Sequence, residues 1–97
     1  MRFGLFGGAR SAGGPDGDSV GYRNYIDYVL EAEALGFHSL FVVEHHFTGI
    51  GQVSASLNLL SYLAAKTSHI RLGTAVVVLP WHNPVLLAEQ VATLDLL

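Results

Sequence analysis

The chain of 97 residues is 51% hydrophobic and only 13% charged, with five Lys and Arg against eight Asp and Glu for a formal net charge of -3. That length sets one domain as the upper limit, the hydrophobic content excludes a disordered chain, and the absence of a basic run removes the electrostatic footprint of a nucleic-acid binder. Globular domains average about 25% charged residues, so a small chain this poor in charge reads as part of a larger body whose strands are covered on both faces. Cysteine is absent, which removes disulfides and thiolate metal sites. The longest apolar stretch, Ala75 to Trp81, is too short and too proline-interrupted to span a bilayer. Arg2 followed by Phe3-Gly4-Leu5-Phe6 is too brief and glycine-rich for a signal-peptide core. A soluble cytoplasmic protein, without membrane or nucleic-acid partners, is the expectation.

Phe3 to Phe6 is a short apolar run closed by Gly7-Gly8, and predicts a buried first strand. A loop rich in Gly, Ser and Asp follows to Gly21. Tyr22, Tyr25, Ile26, Val29 and Leu30 then recur at helical spacing up to Leu35, with Asp18 or Ser19 as the N-cap and Gly36 where a left-handed C-terminal cap belongs. Ser39 to Val43 carries Leu40-Phe41-Val42-Val43 without polar interruption and predicts a strand covered on both faces. Ser56 to Lys66 reads as a second helix with Leu57, Leu60, Leu63 and Ala64 on one side. Ile70 to Val78, rich in β-branched residues, reads as a third strand ended by Pro80. Asn83-Pro84 starts a third helix as N-cap and first helical residue, and Val85 to Leu97 carries Leu87, Ala88, Val91 and Leu94 at helical spacing.

The order βαβαβα with apolar strands implies a parallel sheet with helices outside it. No G-x-G-x-x-G occurs, and the first loop lacks the lysine of a phosphate loop because Lys66 is the single Lys. An eight-unit β/α barrel takes roughly 250 residues, so three units take about 94. The length therefore favours the first three βα units of such a barrel over an open α/β sheet.

Active sites of such barrels lie at the C-terminal ends of the strands, where this sequence carries Gly7-Gly8, then Glu44-His45-His46-Phe47, then Thr74-Ala75-Val76. A hydrophobic strand that finishes in one carboxylate and two imidazoles stands out. Three readings compete. A metal site has suitable ligand types, but adjacent strand residues point to opposite faces, so His45 and His46 do not easily reach one ion, and no H-E-x-x-H is present. A polar strand end satisfying loop backbone is the plain structural reading. In the third, one histidine faces a pocket as an acid/base group. By strand parity, if His45 faces the barrel axis then Phe41 and Val43 line the interior, and Glu44 and His46 face the helices as supports. His38 and His69 fall before strands, at the end associated with stability. Trp81 and His82 follow the third strand and read as surface loop more than as pocket lining.

The runs Glu44-His45-His46-Phe47-Thr48, Ile70-Arg71-Leu72-Gly73-Thr74-Ala75 and Leu79-Pro80 through Asn83-Pro84, in that order and spacing, resemble bacterial luciferase and related flavin-dependent monooxygenases. Met1-Arg2-Phe3-Gly4 and Leu35-Gly36-Phe37 fit as well, so the resemblance covers essentially the whole chain, and it is to the catalytic type of subunit. It implies that residues 1–97 are the N-terminal part of one TIM-like barrel domain. It further implies FMN, supplied reduced by a separate reductase, and oxidation of a small organic substrate by O2 in a cavity closed to water. His45 matches the family's catalytic histidine. Ala75-Val76 matches a non-proline cis peptide against the flavin ring, where small Ala75 lets main chain approach the ring face. Glu44, His46, Trp81 and His82 are then pocket or supporting residues, and no metal is expected. The family's phosphate-holding residues lie mainly on later strands. Many relatives form dimers through helices of this region, and Ser61, Ala64 and Ala65 would permit close approach.

Two alternatives stand beside this expectation: a deazaflavin-dependent hydride-transfer oxidoreductase on the same barrel, whose members tend to show Asp-His where this chain has Glu44-His45-His46, and a non-catalytic barrel subunit. A chain ending at Leu97 would leave open sheet edges and a wet inner face, so the isolated segment is expected to be poorly stable, inactive, and weak or unable in binding FMN.

Overall fold

The computed structural model describes residues 1–49 and 51–97. Strands β1 (Gly4–Gly7), β2 (Ser39–Val42) and β3 (Arg71–Thr74) form one parallel sheet in the order β1-β2-β3. Helices α1 (Gly17–Ala34), α2 (Ser56–Ala64) and α3 (Pro84–Leu96) follow the strands in turn, with a 3₁₀ turn at Leu79–Trp81 before α3. The fold is mixed α/β, with each strand succeeded by a helix as the sequence pattern predicts.

Register explains which residues pack. Leu5 lies beside Leu40 and Leu40 beside Leu72, whereas Phe6 lies beside Phe41 and Phe41 beside Gly73. Successive side chains of a strand point to opposite faces, so the leucine row meets the helices and the phenylalanine row does not. Leu40 and Val42 are fully buried with Val29 of α1, Leu59, Leu60 and Leu63 of α2, and Ile70. Phe6 and Phe41 keep 73% and 44% of their surface exposed. Burial on both strand faces, expected from the uninterrupted apolar runs, is therefore met on one face, while Phe6 and Phe41 stay exposed on the other. A side chain at Gly73 would collide with the Phe41 ring, its Cβ falling 2.9 Å from two ring carbons, so the open face stays flat there.

Several boundaries differ from the sequence expectation. Helix α1 begins at Gly17 behind Asp16 rather than behind Asp18 or Ser19; the apolar repeat starts only at Tyr22, so the glycine-rich first turn carries no periodic signal. Gly36 does adopt the left-handed conformation (φ +84), with its N–H donating to Glu33 O and that of Phe37 to Ala32 O, the paired bonds of a Schellman cap. Strand β3 stops at Thr74, short of Val78, because its one partner among the described residues, β2, ends at Val42 and the last ladder bond runs from Ala75 N to Val42 O. Helix α2 closes at Ala64 and presents Leu59 with Leu60 and Leu63 to the core, while Leu57 and Ala64 are half-buried. In α3 only Leu87 and Leu94 are partly shielded; Ala88 and Val91 are exposed.

Asn83 caps α3 as expected, its Oδ1 accepting from Val85 N at 3.0 Å and Leu86 N at 3.1 Å. Asn83→Ala leaves two amides without that acceptor and is expected to lower stability by about 1 kcal/mol, read as a shift in the denaturation midpoint of the intact protein.

At the N-terminal end of the sheet, Glu33 of α1 gathers three successive amides that precede β3: Ser68 N at 2.8 Å, His69 N at 2.6 Å and Ile70 N at 2.9 Å, all on Oε1. The bonds from Ile70 and His69 lead in holding its carboxyl below the ordinary value, against a smaller opposing effect of burial. A carboxylate depressed in the folded state contributes stability that is present above its ordinary value of 4.5 and is lost as pH falls through the folded value. The stability difference between wild type and Glu33→Gln should therefore be largest at neutral pH and shrink on acidification below that value, measured by denaturant titration across pH.

Candidate active site

The C-terminal ends of the three strands converge on one cleft of about 300 Å³. One side is Phe6, Gly7 and Gly8 at the end of β1, the middle is Val43 and His45 after β2, and the far side is Ala75 and Val76 after β3. The Ala75-Val76 peptide is cis. His45 and the Ala75-Val76 bond, 30 residues apart in sequence, thus line the same space. Parity after β2 is as the sequence implies: Phe41, Val43 and His45 fall on the open side, while Val42 and Glu44 are buried.

The loop after β2 folds back to complete the cleft. Phe47, at φ +55, turns the chain sharply. His45 N–H donates to Val53 O at 2.8 Å, Gln52 N–H donates to Ala9 O at 3.2 Å, and the Tyr22 hydroxyl donates to Gln52 O at 3.0 Å. These bonds seat Gly51 against the His45 ring: a Cβ there would lie 3.2 Å from Cδ2. Gly51 and Arg10, the one permanently charged cation among the cleft's lining residues, are site residues that the sequence reading missed. Their signal was slight, a glycine and an arginine inside loops already rich in glycine.

Beneath the cleft, Glu44 is enclosed, with no exposed side-chain surface. Its Oε1 accepts from His46 Nε2 at 2.6 Å and from His82 Nε2 at 2.9 Å, and its Oε2 from Val78 N–H at 3.1 Å. Burial alone would push this carboxyl up; the bonds from His46, His82 and Val78 outweigh it and leave the group below the ordinary value, hence ionised at neutral pH. The His46 ring stacks on Trp81, centroids 4.9 Å apart and planes 10° off parallel, and Phe47 leans on the same indole at 6.3 Å. Glu44 and His46 therefore bond each other on the side away from His45. His82 departs from the surface-loop reading, since it reaches inward to Glu44; Trp81 keeps 62% of its surface exposed while stacking on His46. No group of three or more His, Asp or Glu side chains among the described residues could hold a metal ion, and no helix among them is long and apolar enough to cross a membrane.

The chain is 40% identical over 86 residues to a luciferase-like monooxygenase of Escherichia coli (strain K12), covering 86% of this chain and 25% of that protein. It is 36% identical over 92 residues to the 4-hydroxyprotoasukamycin monooxygenase of Streptomyces nodosus subsp. asukaensis, covering 93% of this chain and 25% of that one. With the alkanal monooxygenase alpha chain of Photorhabdus luminescens it shares 38% identity over 64 residues, 66% of this chain and 18% of the relative. The chain therefore spans about a quarter or less of the length of these curated relatives. The sequence model of the luciferase-like monooxygenases matches residues 1–97, and the chain belongs to that family.

Proposed function

We propose that residues 1–97 form the opening portion of a TIM-like barrel domain in an FMN-dependent monooxygenase, and that the cleft receives the flavin ring. The observation that carries this reading is the meeting of His45 with the Ala75-Val76 bond at the strand ends. The lining fits a flat, largely apolar ring. Gly7, Gly8 and Ala75 bring main chain to the surface without bulk, and the exposed phenylalanine row supports further strands closing over the open face. Arg10, which lines the cleft, is available to an anionic group, with the phosphate held mainly by later strands. When bound, reduced FMN supplies two electrons to O2, so that one oxygen enters a small organic substrate and the other leaves as water.

His45 holds and moves the proton for this chemistry, as a positioned imidazole at the strand ends can. Ala75 and Val76 orient the ring by contact, and Gly51 keeps the imidazole in place. Closure of the cavity excludes water that would otherwise divert the oxidising equivalent. A separate reductase delivering the reduced flavin, a cytoplasmic setting and a dimer through this half of the barrel belong to the same proposal.

Turnover by the intact protein with FMN or with a deazaflavin tests it. O2-dependent substrate oxidation with reduced FMN and none with the deazaflavin supports the reading; the reverse pattern overturns it in favour of hydride transfer.

A further inference from the structure

Glu44 is not an ordinary satisfied buried carboxylate, because its three donors come from both walls of the cleft. His46 adjoins His45 in the loop after β2; Val78 and His82 belong to the segment that leaves β3 through Ala75-Val76. That segment is fastened at one end by Ala75 N–H on Val42 O and at the other by Val78 N–H on Glu44 Oε2. Val76 stands between the two fastenings with 64% of its surface exposed. Trp81 adds a further tie by stacking on His46.

An ionised carboxylate has acceptors only, so both Nε2 atoms that meet it must carry hydrogen. In a neutral imidazole this fixes the Nε2–H tautomer and leaves Nδ1 as an acceptor. One oxygen of an enclosed carboxylate, Oε1, thereby dictates which nitrogen carries hydrogen in two rings 36 residues apart.

We propose that Glu44 is a positioning residue that locks His46 and His82 in the Nε2–H form and, through them and the Val78 amide, clamps the Ala75–His82 segment against the His45 loop. Glu44 does not touch the reacting atoms; it sets the separation of the groups that do. This rests on the flavin reading only for its last step, that the clamped edge faces the ring.

The test uses the intact protein. Long-range 1H–15N spectra of the imidazoles, assigned through His46→Asn and His82→Asn, are expected to show both rings as Nε2–H. Glu44→Gln keeps one acceptor oxygen but brings an NH2 group among three donors, so at least one ring should lose that signature. Amide exchange across residues 75–82 should then rise about tenfold or more while Leu40 and Val42 amides are unchanged, as expected for local rather than global opening. FMN, used as the probe, should bind about tenfold more weakly, because the ring surface is no longer held in place. Unaltered tautomers with unaltered exchange in Glu44→Gln would overturn the clamp. Should that variant fail to fold, His82→Asn alone must speed exchange at Val78, and its failure to do so overturns the proposal equally. A wild-type protein that shows the tautomers and the exchange pattern but binds no FMN would sink the flavin reading and leave the clamp standing.

Discussion

His45→Ala in the intact protein should lower turnover by about 10²–10⁴-fold, the range that removal of a positioned acid/base group produces, while flavin affinity changes by less than about threefold. The asymmetry follows from where the ring sits. The imidazole is one of eleven residues that line the cleft, and Gly7, Gly8 and Ala75, which carry little or no side chain, are among the others. On the proposed function, removing the imidazole deletes a proton carrier and leaves most of the flavin's contact area. Steady-state rates with flavin titration separate the two quantities. His38→Ala is the control: that residue precedes β2 at the opposite end of the sheet, its Nε2 3.5 Å from Arg2 Nη1, and its loss should leave turnover unchanged. Equal turnover in His45→Ala would remove the residue from the chemistry.

Leu63→Ala should destabilise the protein by about 2–5 kcal/mol. Leu63 is fully buried where α2 packs on the sheet, among Leu40, Val42, Leu60 and Ile70. The loss combines the transfer of its methyl groups with a cavity that neighbouring side chains fill only in part, and it is a large share of a typical total of about 5–15 kcal/mol. The measurement is the denaturation midpoint. Leu97→Ala, at a site that keeps 83% of its surface exposed, should shift it little.

Local features of the fold were legible in the sequence wherever one residue type has one use. Asn83-Pro84 starts α3, Gly36 takes the left-handed cap, and strand parity sends His45 and Glu44 to opposite sides. The end of β3 was not legible. Val76, Val77 and Val78 have strand propensity, yet pairing is a property of two strands, and β2 runs out at Val42. The glycine-rich opening of α1 hid its start because Gly17 and Gly21 offer no side chain to a periodic pattern. Of the site, the residues on strand ends could be placed and the contacts between them could not. His82 meets Glu44 across 38 residues, and Glu33 meets Ile70 across 37. Each glutamate looks like any other polar residue until the chain has folded back on it.

Those two glutamates have a consequence for the order of assembly. Glu33 holds the amides just before β3 and Glu44 holds an amide just after it, so the third strand is received at both ends by carboxylates that precede it in the chain. A polypeptide emerges from the ribosome N-terminus first. Both carboxylates therefore exist in the chain before the strand they grip has been synthesised.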